Sequence, residues 1–342
     1  MAAQSAGMSP ADSSAAPHGR ILQSSFRPHP LFRGPHAQTM LPALLRPLPR
    51  LAIRRERLEL SDGDFVTLGW AGEHKLGAPL VLLVHGLTGS FDSKYLRGAA
   101  RRLIRRGWRC VIFQQRGAGG EPNRLARSYH HGASDDLREV VVELRRREPK
   151  TTLAAAGWSL GANVLLKYLG EDGAAAPLTA AVAASPPFQL RPCAERLRTG
   201  TSRVYQRRLL RDLKAALRLK YSQLTPPEGL EAAFAARDFF AFDDAVTAPA
   251  NGYRDAEDYY ARAACGPFLR GIQVPTLVLH AMDDPFMAPS IVPDESALAP
   301  AVTLELSKRG GHVGFVAAGR FGQPVPWLER RIPEFLGEYF TP

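Results

Sequence analysis

Residues 79–84 form an unbroken apolar run, Pro-Leu-Val-Leu-Leu-Val, which is typical of a strand buried on both faces. Similar apolar runs follow it, and segments with the spacing of amphipathic helices separate them. The runs lie at 109–113, 153–156, 180–184 and 276–280, and the helical segments at 96–106, 133–147 and 162–169. A further strand is expected at 302–306, as the last of the sheet. This alternation predicts an α/β fold, with a mostly parallel central sheet and helices on both faces.

The alternation stops between residues 185 and 275, where only helical patterns occur, at about 203–220, 229–237 and 255–264. An all-helical insertion between two sheet strands is the usual form of a lid. The sequence therefore predicts a helical lid over 189–270, inserted into a core that consists of residues 26–188 and 271–342.

The N-terminal part of the chain has a different character. Its first residues are rich in Ala, Ser and Pro, and we predict a disordered tail over 1–25 because so little apolar surface cannot offset the entropy of ordering. Residues 54–70 alternate about Asp62-Gly63, which predicts a β-hairpin.

The composition excludes several classes of protein. A chain of 342 residues buries a core without disulfides or a metal, and its cysteines, Cys110, Cys193 and Cys265, lack the spacing of a disulfide framework or a zinc site. No apolar stretch is long enough to span a bilayer, and the N-terminus lacks the pattern of a signal peptide. We expect a cytoplasmic protein with no transmembrane segment, no metal and no cofactor.

The formal net charge of +11 is concentrated in two segments, at +5 in residues 1–60 and +8 in residues 191–220. No groove-reading or aromatic–basic motif accompanies it, so we expect no nucleic acid partner. In the helix predicted at 203–220, Leu210, Leu213 and Leu217 form an apolar stripe among arginines. The ordinary interpretation is that the stripe packs on the body and the arginines face water. The alternative is a peripheral contact with an anionic membrane surface.

Residues 157–161, Gly-Trp-Ser-Leu-Gly, fit the pattern G-x-S-x-G between a predicted strand and a predicted helix. In this context the glycines permit a tight turn that exposes the hydroxyl of Ser159 beside a helix N-terminus. The sequence therefore predicts Ser159 as a nucleophile.

A serine nucleophile needs a histidine base and a carboxylate that orients it, and this architecture places them in the order serine, acid, histidine. After Ser159 the chain has two histidines. His280 falls inside a predicted strand, whereas His312 lies in a glycine-rich loop after the strand at 302–306. Asp283 and Asp284 both follow the strand that ends near His280, and we favour Asp284 for its loop position before Pro285.

Two backbone amides are candidates for stabilising a developing oxyanion. One is the amide of Leu160, next to the serine, and the other is that of Leu87, in the loop His85-Gly-Leu-Thr-Gly after the first buried strand. Gly86 lets the chain turn inward at this point.

The chain resembles the YheT-like branch of the α/β-hydrolases, related to the ABHD hydrolases, over residues 27 to 340. Motifs at 34–42, 85–89, 115–123, 157–163, 242–249, 258–260, 281–285 and 311–315 carry the resemblance. The segment Phe-Asp-Asp-Ala-Val-Thr-Ala-Pro at 242–249 is specific to this branch. Ala37 departs from the Leu that the branch usually has there.

The resemblance implies the α/β-hydrolase fold, the set Ser159, Asp284 and His312, and hydrolysis of carboxylic or lipid esters. The aromatic, apolar lid favours a small-molecule ester with a medium-length acyl chain. Two alternatives remain: acyl transfer to an alcohol through the same acyl-enzyme, which some fungal relatives perform, and a non-catalytic binding protein on the hydrolase fold.

Overall fold

The computed structural model describes residues 18–75 and 77–340. The strands are β1 (Arg20–Gln23), β2 (Arg54–Glu59), β3 (Phe65–Ala71), β4 (Leu80–Val84), β5 (Arg109–Gln114), β6 (Leu153–Trp158), β7 (Ala180–Ala184), β8 (Thr276–Ala281), β9 (Val302–Ser307), β10 (Val316–Ala318) and β11 (Pro324–Pro326). The helices are α1 (Pro35–Leu45), α2 (Lys94–Ile104), α3 (Ser134–Arg147), α4 (Leu160–Asp172), α5 (Leu190–Leu197), α6 (Ser202–Tyr221), α7 (Leu230–Ala235), α8 (Phe239–Phe242), α9 (Ala248–Ala250), α10 (Ala256–Ala263) and α11 (Leu328–Gly337).

Within the described residues, nine strands form one sheet in the order β1-β9-β8-β7-β6-β4-β5-β3-β2. Along this order, each strand from β1 through β4 pairs in parallel with the next, whereas β3 pairs antiparallel with both β5 and β2. The predicted mostly parallel sheet is confirmed, and so is the hairpin, which is formed by β2 and β3.

The sheet is buried on both faces because residues of each central strand alternate between two apolar cores. In β4, Leu80, Leu82 and Val84 pack with side chains of α3 and α4. The residues between them, Val81 and Leu83, pack with side chains of α2 and α11. All five residues of β4 are fully buried, which explains why the sequence reads as an unbroken apolar run there.

Helices α5 to α10 lie between β7 and β8 and have an apolar cluster of their own. Leu210 is buried in this cluster, and Leu213 and Leu217 pack against it. The apolar stripe of α6 therefore packs within the insertion, while Arg207 and Arg211 are exposed. A short π-helical segment, Asp243–Thr247, joins α8 to α9.

Two expectations need correction. The tail predicted over 1–25 falls largely outside the described residues, but Arg20–Gln23 is a strand that pairs in parallel with β9 at the sheet edge. Four residues with mixed polarity give no periodic signal, so only the pairing with β9 reveals this strand. The strand at 302–306 is also not the last, since β10 and β11 form a separate antiparallel pair after it.

A buried lysine fastens the end of α6 to the body. The ammonium group of Lys220 lies 2.8–3.0 Å from four oxygens, and its three N–H donors are shared among them: Asn123 Oδ1, the carbonyl oxygens of Ala126 and Arg127, and Ser128 Oγ. The ammonium therefore links α6 to the loop over 123–128.

We expect Lys220→Met to lower the free energy of unfolding by about 2–3 kcal/mol, because it leaves buried oxygens without a donor. Urea denaturation measures the change. Arg211→Met, at an exposed position on the same helix, is the control and should shift the midpoint little. Equal shifts in the two variants would contradict this role of Lys220.

Candidate active site

Ser159 lies at a sharp turn between β6 and α4, with φ of 53° and ψ of −119°. This left-handed conformation is strained for a residue with a side chain. The turn is possible because the residues on either side of Trp158 to Leu160 are glycines, and other backbone atoms pass where a side chain would lie. A Cβ at Gly157 would collide with the carbonyl oxygen of Gly161, and one at Gly161 would collide with that of Val84. The glycines of the motif therefore let α4 start immediately against β4.

His312 and Asp284 meet Ser159 at the carboxyl ends of the parallel strands. His312 Nε2 lies 2.9 Å from Ser159 Oγ, and His312 Nδ1 lies 2.7 Å from Asp284 Oδ2. Asp284 is almost fully buried. The ring of Phe286 stacks on the imidazole at 4.0 Å with an interplanar angle of 9°. The arrangement can transfer a proton from the hydroxyl to the imidazole while the carboxylate holds the tautomer.

The two adjacent aspartates make different contacts. Asp284 faces the imidazole, whereas Asp283 Oδ1 accepts a hydrogen bond of 2.9 Å from the Gly311 amide. Burial raises the pKa of the Asp283 carboxyl, and the hydrogen bond from Gly311 opposes the rise. Asp283 thus orients the loop that carries His312 rather than the ring itself.

Residues of α1 hold the histidine loop from the other side. Thr39 Oγ1 accepts a hydrogen bond of 2.9 Å from the His312 amide. The fully buried Gln38 accepts one from the Val316 amide at 2.6 Å and donates to the carbonyl oxygen of Val316 at 3.1 Å. A Cβ at Gly314 would collide with the Gln38 carbonyl oxygen. Helix α1 and the histidine loop therefore fit together only with glycine at 314.

The amides on either side of Leu87 donate hydrogen bonds to tyrosine hydroxyls. Tyr95 Oη accepts from the Gly86 amide at 2.9 Å, and Tyr129 Oη accepts from the Thr88 amide at 2.8 Å. Within the described residues, the Leu87 amide has no acceptor, and Leu87 and Ser159 both line one cavity. The amide of Leu160, the first residue of α4, lies next to the serine.

His85 shapes this loop from inside the protein. Its Nε2 accepts from the Gln115 amide at 3.1 Å, so its Nδ1 carries the proton and donates to the Gly86 carbonyl oxygen at 2.8 Å. Burial lowers the pKa of His85 to about 4, which keeps the ring neutral.

A cavity of about 290 Å³ opens beside Ser159 and His312. Much of the cavity lining is apolar, and the helical insertion supplies part of it. The insertion contributes Leu190, Cys193, Ala194, Leu197, Leu209, Phe239, Asp243 and Tyr260. A polar reacting centre with a long apolar wall suits a substrate with a polar bond and an apolar chain.

The cavity wall contains a buried carboxyl group. Tyr260 Oη donates to Asp243 Oδ2 at 2.9 Å, and burial raises the pKa of Asp243 to about 7. His131 also lines the cavity, with its Nδ1 3.0 Å from Tyr259 Oη, and burial lowers its pKa to about 4. Near neutral pH the wall therefore carries a neutral imidazole and a carboxyl group close to half-ionised.

The structure brings together the predicted Ser159, Asp284 and His312, with Leu87 and Leu160 beside them. Sequence reasoning missed Gln38, Thr39 and Phe286 around the histidine, and Asp243 and His131 in the wall. Two of these regions were marked in advance by motifs that carry the family resemblance, at 34–42 and at 242–249.

The described residues contain neither a cluster of metal-ligating side chains nor a helix that could span a membrane. Across 18–75 and 77–340, no three histidine, cysteine or acidic side chains cluster as metal ligands would. Within the same ranges, no helix has the length and apolar character needed to cross a membrane.

Comparisons with known proteins identify the family. A family profile described as alpha/beta hydrolase fold matches residues 79–318. A protein of Escherichia coli (strain K12), named "Putative esterase YheT", is 42% identical over 323 residues, which cover 92% of this chain and 94% of that protein. The chain is a YheT-like α/β-hydrolase.

More distant relatives of this YheT-like α/β-hydrolase include phospholipase ABHD3 of Mus musculus. It is 29% identical over 87% of this chain and 75% of its own length. Among solved structures, the Pyrococcus furiosus esterase Pf2001 is similar, with a TM-score of 0.55 and 17% identity over 85% of this chain and 94% of that one. At that identity, the likeness supports the fold alone.

The buried Asp243 predicts a pH-dependent stability. Its pKa is raised in the fold from 3.8 to about 7. The fold therefore favours the protonated carboxyl, and this stabilisation is complete below pH 3.8 and is lost as the pH rises through about 7. We expect Asp243→Asn to flatten the fall of the urea midpoint between about pH 4 and pH 7.

Asp244→Asn, at the exposed neighbouring position, is the control and should keep the wild-type dependence on pH. The same slope in wild type and Asp243→Asn would show that Asp243 does not cause the loss.

Proposed function

We propose that this α/β-hydrolase cleaves carboxylic esters, with a medium-length acyl chain or a lipid-like structure, through an acyl-enzyme on Ser159. One observation carries the proposal. The hydrogen-bonded series Ser159 Oγ, His312 and Asp284 ends at an apolar cavity.

In the first half of the proposed reaction, His312 Nε2 takes the proton of Ser159 Oγ, and the oxygen attacks the ester carbonyl carbon. Asp284 accepts the proton on Nδ1 as a hydrogen bond and stabilises the imidazolium. The amides of Leu87 and Leu160 donate to the oxyanion. The imidazolium then returns its proton to the leaving alcohol as the C–O bond of the ester breaks, which leaves the acyl group on Ser159.

In the second half, His312 takes a proton from water, and the hydroxide attacks the acyl-enzyme carbonyl. The bond to Ser159 Oγ breaks and the serine regains its proton from His312, so that the carboxylic acid leaves. No further group is needed, because one imidazole serves as base and then as acid in each half.

The cavity wall favours an acyl substrate. Leu190, Leu197, Leu209 and Phe239 offer apolar surface beside the nucleophile, and burial of a hydrocarbon chain there releases about 0.8 kcal/mol per methylene. Two relatives carry the names of lipid ester hydrolases, the phospholipase ABHD3 and a monoacylglycerol lipase of Saccharomyces cerevisiae. These names favour lipid-like esters.

We expect Ser159→Ala to lower the turnover of p-nitrophenyl esters of graded acyl length by roughly 10⁴-fold or more and to abolish labelling by a fluorophosphonate. Circular dichroism checks that the variant folds. Unchanged turnover in the folded variant would overturn the mechanism, and turnover by neither protein would favour a non-catalytic role.

The two aspartates give a second test. The neutral amide in Asp284→Asn neither fixes the His312 tautomer nor stabilises the imidazolium as a carboxylate does. We therefore expect kcat/KM to fall by roughly 10³–10⁴-fold. Asp283→Asn keeps an oxygen for the Gly311 amide and should fall by less than about tenfold. If Asp283→Asn lowered kcat/KM more than Asp284→Asn does, Asp283 rather than Asp284 would be the acid of the set.

A further inference from the structure

Helix α1 and the residues after it leave large apolar side chains in water. Met40, Leu44, Leu45 and Leu48 are 37%, 54%, 72% and 42% exposed, and we call this set the α1 surface. Isolated exposed leucines are common, but several on one short segment mark an interaction site.

The α1 surface is held firmly rather than frayed. Lys94 Nζ donates to the carbonyl oxygens of Ala43 and Leu44 at 2.7 and 3.2 Å, which satisfies groups at the end of α1. Arg46 forms an ion pair with Glu329 of α11. A Cβ at Gly98 of α2 would collide with that pair, so glycine there makes room for it. The exposed leucines are thus presented by a fixed backbone.

The same helix forms part of the wall of the candidate active site. Thr39, Pro42, Ala43 and Arg46 line the cavity, while the α1 surface consists of residues interleaved with them. Whatever covers the α1 surface therefore lies at the rim of the cavity.

The chain segment that carries the α1 surface is basic. Residues 26–50 contain four arginines and no acidic residue. Arg46 is paired with Glu329, and in the described part of the chain Arg27, Arg33 and Arg50 have no carboxylate partner. Arg309 adds a further cation, with its guanidinium donating to the Arg33 carbonyl oxygen at 3.4 Å.

We infer that the α1 surface docks on an anionic lipid bilayer and brings the cavity mouth to the membrane. The leucines would enter the boundary of the acyl chains, and the arginines would meet anionic headgroups. The choice of a bilayer over a protein rests on the proposed function, because a cavity that takes lipid-like esters gains from facing their source. The charge complementarity stands independently of it.

The test is co-sedimentation of the full chain with vesicles of phosphatidylcholine alone, or with about a third of phosphatidylglycerol, at low and high salt. We expect binding to the anionic vesicles that weakens with salt. Leu44→Ser/Leu45→Ser should lower the partition coefficient at least about tenfold, since both side chains lose their apolar burial. Arg33→Gln/Arg50→Gln should lower it by about tenfold or more on anionic vesicles and change it little on phosphatidylcholine.

The matched control is Val142→Ser. Val142 is 55% exposed on α3, which packs on the opposite face of the sheet from α2 and α11, and its loss should leave vesicle binding unchanged. Leu44 and Leu45 do not line the cavity, so the double variant should keep wild-type turnover of a water-soluble, short-chain ester.

Three results would overturn the inference: no binding of wild type to either vesicle, an equal loss in Val142→Ser, or a wild-type dimer that Leu44→Ser/Leu45→Ser converts to a monomer in light scattering without any vesicle binding. The last result would assign the surface to a second copy of the chain. Vesicle binding by a wild type without ester turnover would overturn only the proposed function, and Ser159→Ala should bind vesicles as wild type does.

Discussion

The candidate site depends on one constraint, the close backbone packing of the start of α4 against the ends of β4 and β6 around Ser159. Because Gly157 and Gly161 have no Cβ, α4 starts directly against the ends of β4 and β6, and Ser159 is forced to a positive φ. In the described part of the chain, four other residues with side chains also have positive φ, namely Thr88, Ser185, Val313 and Phe315. Thr88 and Val313 lie in the loops that carry Leu87 and His312. Both loops thus contain strained backbone, and the packed sheet beneath them holds it in place.

A second dependence connects the ends of the chain. The loop of His312 is held by Asp283 on one side and by Gln38 and Thr39 on the other, and Thr39 is 273 positions away from the amide that it binds. The position of the imidazole is therefore set jointly by α1, near the start of the chain, and by the loop after β8. A substitution in α1 can thus displace the His312 ring without contacting it.

Much of the fold was predictable because its signals are local. The apolar runs of β4 to β8 and the helical spacing of α2, α3 and α4 follow from burial on both faces of a parallel sheet. The order of Ser159, Asp284 and His312 could be inferred from strand ends. In contrast, β1 is four residues whose pairing lies with β9, and Thr39 and Asp243 acquire their surroundings from distant segments. Such contacts leave no periodic trace in the sequence.

The helical insertion packs around an apolar cluster distinct from the two that cover the sheet. The cavity consequently has walls from two separately packed units: the core around the sheet holds the hydrogen-bonded side chains, and the insertion contributes part of the apolar lining. Because each unit has its own apolar cluster, substitutions in the helices of the insertion can change the shape of the cavity while the two clusters that cover the sheet keep their packing.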